Sequence, residues 1–332
     1  MTVGVAYFGN RILRHAAADM ADAAERGFTG VLHTFSEHDL AHYRQQMARI
    51  IAASHDVGLQ VQLSPWGLGH VFGGEADSRW VADNPRQCQV LGGTTPVSAA
   101  CPSNPGFRDF VRAWADAAVD AGADRIFWDE PAWARPETVG LPAHAAACGC
   151  ASCRAAFAHR FAASMPARLT DEVAAFRRTV LTEFIQELVA HVAARGVAST
   201  VCLLPPVGDD GADDAPGVGD WAAIAATPGV DALATAPYWK VFDQPPAQFV
   251  GAAAARVRDA AHAHGARAQL WQQGFGFGPD ELPDFRTAVR AGRDAGVDEL
   301  WVWGYEAGGH MSSLGTREPE VVWEAVCDAV TR

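Results

Sequence analysis

Residues 11–35 read RILRHAAADMADAAERGFTGVLHTF. Residues 11–26 have helical period, Gly27 is the stop expected where such a helix ends, and residues 30–35 form a short apolar run of strand type. The same alternation recurs along the chain. Strands are predicted at residues 3–9, 30–35, 59–65, 125–130, 199–204, 232–238, 268–273 and 299–305. Helices are predicted at residues 11–26, 39–55, 104–121, 171–195, 246–264 and 282–295, and Gly58, Gly122, Gly196, Gly265 and Gly296 repeat the stop seen at Gly27. Short strands alternating with long helices are the pattern of a parallel sheet built from βα units.

Eight strands in 332 residues give about 41 residues per unit, against roughly 31 in a 250-residue barrel. The surplus falls in two loops, 66–102 after the third strand and 131–166 after the fourth. No linker or composition shift divides the chain, so residues 1–332 are expected to form a single α/β domain, a (β/α)8 barrel with both insertions on its C-terminal face. A doubly wound open sheet is the alternative, but the Gly-x-Gly-x-x-Gly turn after the first strand is missing, and Gly274, Gly276 and Gly278 have the wrong spacing.

Composition narrows the function classes. Hydrophobic residues make up 49% and charged residues 20%, enough for a core. A formal charge of -13 argues against nucleic acid or an anionic membrane as partner. No apolar stretch approaches the roughly 18–20 residues of a membrane span, and no charged leader precedes the first strand, so a soluble cytoplasmic protein is expected. The sequence leaves homo-oligomerisation open.

Residues 124–131 read DRIFWDEP, an apolar strand that runs into Asp129 and Glu130 and is ended by Pro131, which lacks a backbone donor. Acids at the C-terminal end of a barrel strand stand where active sites are built. Adjacent strand residues point to opposite faces, so one acid is expected to face substrate and the other to support it from the wall. A solvated strand end is the plainer alternative. The eighth strand places Glu306 just beyond its end with His310 nearby, although a surface glutamate in a loop would read the same. The seventh ends Trp271-Gln272-Gln273, with amides where an acid is expected.

Of 11 tryptophans, Trp66, Trp128, Trp133, Trp239, Trp271, Trp301 and Trp303 fall at or beside strand C-terminal ends. Flat aromatic faces pack against the C–H faces of sugar rings, while acids, amides and imidazoles bond the hydroxyls. Tyr7, His33, Trp66, Tyr238, Trp271, Gln272, Trp303 and His310 are therefore candidate substrate contacts. Lys240 is the single lysine, and such a rim suits a small neutral carbohydrate better than a phosphate.

Seven cysteines exclude a fully paired disulfide framework. Cys148, Cys150 and Cys153 form C-x-C-x-x-C, which suits a structural tetrahedral Zn²⁺ with a fourth ligand from elsewhere. Unpaired thiols or a redox pair are the alternatives. Cys88, Cys202 and Cys327 read as ordinary buried residues.

The run Cys101-Pro102-Ser103-Asn104-Pro105, the strand end Trp128-Asp129-Glu130, and Cys148-x-Cys150-x-x-Cys153 followed by Phe157 resemble the matching stretch of family 42 β-galactosidases and related barrel glycoside hydrolases, over roughly residues 98–195. The resemblance implies that Cys101, Cys148, Cys150 and Cys153 bind zinc and that Glu130 is the general acid/base. Two departures stand out: Asp129 replaces the family's Asn, and Gln272 stands at the expected nucleophile position, where an amide cannot form a glycosyl ester.

The leading function is a glycoside hydrolase-like enzyme, a glycosidase with Glu130 as proton donor and Glu306 or Asp129 as second carboxylate. Carboxyl separations of about 5–5.5 Å or roughly 6.5–9.5 Å would make it retaining or inverting. Gln272 motivates the alternative of a non-hydrolytic carbohydrate-binding barrel. A catalytic-zinc barrel of the cobalamin-independent methionine synthase type shares the Asp-Glu-Pro strand end, but its His-x-Cys zinc motif does not occur here.

Overall fold

The computed structural model of the protein describes residues 1–8, 10–206 and 217–332. Its strands are β1 Thr2–Tyr7, β2 Gly30–Thr34, β3 Gln60–Ser64, β4 Cys88–Leu91, β5 Thr95–Ala100, β6 Arg125–Trp128, β7 Ala198–Leu203, β8 Val230–Thr235, β9 Arg267–Gln273 and β10 Glu299–Trp303. Eight of them close a parallel barrel in the order β1-β2-β3-β6-β7-β8-β9-β10, while β4 and β5 form a separate antiparallel pair. Val3 faces Leu300 where β10 returns to β1. The fold is thus the (β/α)8 barrel that the alternation predicts. Each predicted strand is present, but most stop short, because the final apolar and acidic residues turn out over the rim. The predicted end of the first strand, Gly9, lies outside the described residues.

The helical layer follows the predicted spans with one break. The 39–55 helix is two, Glu37–His42 and Arg44–Asp56, separated at Tyr43, whose φ of -125° leaves the helical range. Ser36 and Asp39 form a reciprocal capping box at the first of these, which fixes its start. A further helix, Pro319–Thr331, follows β10 and completes the outer ring. No helix among the described residues is long and apolar enough to cross a membrane.

The interior follows the two-residue period of strands. Gly4 and Gly30 take inward positions on β1 and β2 because Trp301 of β10 occupies the space; a Cβ on Gly4 would lie 2.3 Å from the indole. Below Trp301, Glu299 pairs with Arg125 of β6 at 3.0 Å across the floor. The outward residues, among them Val5, Val31, Val61, Ile126 and Leu270, pack into the layer shared with the helices.

Both insertions carry structure of their own. Residues 66–102 contain a short helix, Arg79–Asp83, and the β4–β5 hairpin, and residues 131–166 contain the helix Ala151–Phe161. Backbone bonds from Gly92 to Ala145 and from Gly149 to Val90 tie one insertion to the other.

Candidate active site

A cavity of about 330 Å³ opens at the C-terminal end of the barrel. β6 contributes Phe127 and, just past its end, Asp129 and Glu130; Cys202, Tyr238, Trp271 and Trp303 come from the next four strands or their ends; Trp66 and Gly73–Glu75 come from the loop after β3. Phe127 and Asp129 share the inward face. Trp128, between them, points outward, with its ring 5.9 Å from Trp114 and its Nε1 donating to Ser199 Oγ at 3.1 Å.

Continued strand geometry would send Glu130 outward after Trp128. Instead β6 stops at Trp128, and Glu130 adopts a φ of +40°, a left-handed conformation costing a non-glycine residue roughly 1–2 kcal/mol. Glu130 N–H donates to the Cys202 carbonyl at 3.1 Å, and Gly73 N–H donates to the Asp129 carbonyl at 2.8 Å, which pins the reversal on both sides. The expectation that only one acid enters the mouth is therefore corrected: both line the same cavity. Gly73 permits the loop to close over the pair, since a Cβ there would lie 2.8 Å from Asp129 Oδ2.

Neither carboxylate accepts a hydrogen bond from the described residues. Burial pushes both carboxyls well above the ordinary carboxylate range, and at Glu130 the neighbouring Asp129 adds to the rise while Arg135 opposes it. A carboxyl so placed can keep a proton near neutral pH, as a general acid must.

The other candidate residues divide by strand face. Trp66, Trp271, Trp303 and Tyr238 line the cavity. Trp66 and Trp303 lie nearly parallel, 5.1 Å apart, and Trp271 meets Phe127 edge-on. Tyr7, Glu306 and His310 border a neighbouring groove of about 980 Å³ that shares Trp66 and Met311 with the cavity. Tyr7 donates its hydroxyl to Asp19 at 2.6 Å, and Glu306 is exposed. His33 is fully buried against Ser54, 3.0 Å away on the helix behind β2, and burial pushes its pKa down to about 3. Gln272 likewise points into the helical layer, with Nε2 3.5 Å from the Ala288 carbonyl. Both are corrected from substrate contacts to packing residues, and Gln272 does not stand where a nucleophile would.

The sequence reading missed Glu75, Phe127, Cys202 and Phe275, all on the cavity wall. Counting back two residues from Asp129 gives Phe127, so the strand period carried that signal. Of the other tryptophans, Trp133 and Trp239 are buried in the outer core, and Trp301 lies below the cavity with Nε1 on Glu299.

Cys101, Cys148, Cys150 and Cys153 lie together, buried, with their sulfurs all within 4.8 Å of one another and no disulfide among them. Cys101 Sγ is 3.3 Å from Cys153 Sγ and 3.5 Å from Cys150 Sγ, near the roughly 3.8 Å edge of a tetrahedron with 2.3 Å zinc–sulfur bonds. The donor set and its geometry fit that ion. The cluster joins the two insertions and does not line the cavity, whereas Cys202, read as a bystander, does.

No family model matches the sequence, and no curated protein matches it. The structure is similar to an endo-1,4-β-mannanase from Rhizomucor miehei, with TM-score 0.67 and 11% identity over 99% of this chain and 93% of that one. It is similar to the PgaB glycoside hydrolase domain from Bordetella bronchiseptica, with TM-score 0.66 and 12% identity over 99% of both chains. A third match is an endo-β-1,4-mannanase from Thermotoga petrophila, with TM-score 0.61 and 10% identity over 99% of this chain and 76% of that one. What these proteins share with this chain is the barrel.

Proposed function

We propose that the protein is a glycoside hydrolase-like enzyme acting on a neutral glycoside, with Glu130 as its proton donor. The observation that carries this reading is the Asp129–Glu130 pair, half-buried and without hydrogen-bond partners among the described residues, in a cavity walled by Trp66, Trp271 and Trp303. Leaving two carboxyls unpartnered in an apolar site costs stability, and proton transfer to a bound substrate is what such a site gains. The barrel neighbours named as mannanases and as a glycoside hydrolase domain support the reading by analogy of fold.

In this mechanism the indoles cover the apolar faces of a sugar ring. Protonated Glu130 gives its proton to the glycosidic oxygen as its bond to C1 breaks; water then bonds to C1 and gives its proton to the resulting Glu130 carboxylate. Asp129 stands beside it as the second carboxyl group of the cavity. Glu306 and His310, in the groove beyond Trp66, are placed to meet the part of the substrate that leaves the cavity. Gln272, turned outward, no longer motivates a purely binding barrel, and cysteines remote from the cavity do not suit a catalytic-zinc barrel.

Cys101, Cys148, Cys150 and Cys153 would hold a structural zinc, which cross-links the two insertions and takes no part in the reaction. One equivalent of zinc per chain, and a thermal midpoint that falls on chelation, are the expected results.

The function is tested with Glu130→Gln and a panel of neutral aryl glycosides and oligosaccharides. The variant should lose about 10²–10⁴-fold in kcat/KM with an unchanged circular dichroism spectrum. Undiminished turnover by the variant sinks the assignment.

A further inference from the structure

Hydrolysis by paired carboxylates places the second carboxylate across the sugar ring from the proton donor, about 5–5.5 Å away if it attacks C1 and roughly 6.5–9.5 Å if it activates water. Asp129 and Glu130 come from one wall of the cavity and not from opposite ones. They are consecutive, their Cα atoms about 3.8 Å apart, and both reach the cavity from the end of β6. Facing β6 across the closed barrel is β10, whose cavity-lining residue is Trp303. On β9 that residue is Trp271, and the next inward residue, Gln273, is engaged by the backbone N–H groups of Lys240 and Val241. Glu75 is exposed at the mouth, on the loop that meets Asp129 through Gly73. Among the described residues, no carboxylate extends into the cavity from β9 or β10.

An attacking oxygen carried by the substrate removes the need for one. We infer, on the basis of the glycoside hydrolase reading above, that the substrate is a 2-acetamido-2-deoxy-β-glycoside whose own acetamido carbonyl oxygen attacks C1. The group that assists such an attack has to reach the N–H on C2, the carbon beside C1. An acid adjacent to the proton donor on the same wall is placed for that, and Asp129 is that acid. As the carbonyl oxygen bonds to C1, the bond from C1 to the leaving oxygen breaks and Glu130 gives that oxygen its proton. Asp129 accepts a hydrogen bond from the acetamido N–H and holds the carbonyl in line. Water then adds to C1, loses its proton to the Glu130 carboxylate, and the ring oxygen of the oxazoline takes back its electron pair to restore the amide. The 2-acetamido group must lie trans to the leaving group, which selects the β-anomer in the gluco and galacto series.

Two further features fit. The Tyr238 hydroxyl, on the wall after β8, has no partner among the described residues and is a donor for the acetamido oxygen. Phe127, Trp271 and Phe275 offer an apolar surface for the acetyl methyl group.

The test uses 4-nitrophenyl 2-acetamido-2-deoxy-β-glucoside, the β-galactoside and the chitobioside, beside their 2-hydroxy counterparts. The inference expects turnover of an acetamido member and a fall in kcat/KM of more than about tenfold when N-acetyl becomes N-trifluoroacetyl, which weakens the attacking oxygen. It also expects a sugar-fused thiazoline, a mimic of the oxazoline, to bind by calorimetry. Asp129→Asn should lower kcat and flatten the dependence on the acyl group. Hydrolysis of 2-hydroxy glycosides at equal or higher kcat/KM, or indifference to fluorination, with Glu130 still required, overturns this inference and leaves the glycosidase reading standing. No turnover in either series and no thiazoline binding overturns both.

Discussion

The two ends of the barrel interior treat carboxylates in opposite ways. At the floor, Glu299 accepts from Arg125 at 3.0 Å, from Arg267 at 3.0 Å, from Gln269 at 2.7 Å and from Trp301 at 3.1 Å. Asp231 takes the Arg125 Nε at 2.8 Å. At the mouth, Asp129 and Glu130 have no such donors among the described residues. A carboxylate surrounded by donors holds the strands in register; one left without them lowers stability and keeps its proton. The contrast separates the end of the barrel that holds the fold from the end that is free to react.

The largest expected effect lies at the floor. Arg125→Met leaves Glu299 and Asp231 without a principal partner and should cost about 3–5 kcal/mol in urea unfolding; a loss under about 1 kcal/mol would mean that Arg267 and Gln269 alone satisfy the floor. At the mouth the sign reverses. Both folded carboxyls hold their protons above the ordinary range, so between the unfolded and folded pKa values the native state binds more protons than the unfolded chain, and stability falls as pH rises through that window. Glu130→Gln should remove part of that slope and leave the thermal midpoint at alkaline pH unchanged or raised. A lowered midpoint would show that the carboxylate is stabilising and erase the contrast.

Smaller effects sharpen it. Removing the Trp66 indole by Trp66→Ala should weaken substrate by about 1 kcal/mol, roughly fivefold in KM, with kcat little changed; an effect on kcat alone would move Trp66 from binding to the reaction step. His33, buried neutral behind the sheet with its pKa pushed down to about 3, gives the opposite pH slope. The unfolded imidazole takes a proton below about 6.5, so stability should fall as pH drops from there toward 3. His33→Phe should flatten that acid limb in a pH series of unfolding midpoints.

The barrel was legible because every βα unit repeats the same helix, glycine stop and apolar run. The insertions read only as long loops, since the β4–β5 hairpin is short and the helix Ala151–Phe161 begins within the cysteine motif. Position beside a strand end tells how high a residue sits on the barrel but not which face it takes, so by that position alone Trp128, His33 and Gln272 fall together with Trp66 and Trp271. The two-residue period, counted from Asp129, would have sent Trp128 outward. Nothing in the sequence marks the left-handed turn at Glu130, because that conformation is held by bonds to Cys202 and Gly73, which belong to other strands and loops. Spacing groups Cys148, Cys150 and Cys153, the resemblance adds Cys101, and the four sulfurs converge.

Phe8, Trp66 and Trp303 form three near-parallel rings, with centroids 5.1 to 6.0 Å apart and planes within 12° of one another. Two indoles held this close and this rigidly share their electronic excitation. The native protein should therefore carry a coupled near-ultraviolet circular dichroism band from the wall between cavity and groove. A ligand entering on either side of Trp66 would alter that band, so the molecule carries its own optical gauge of occupancy and needs no attached dye.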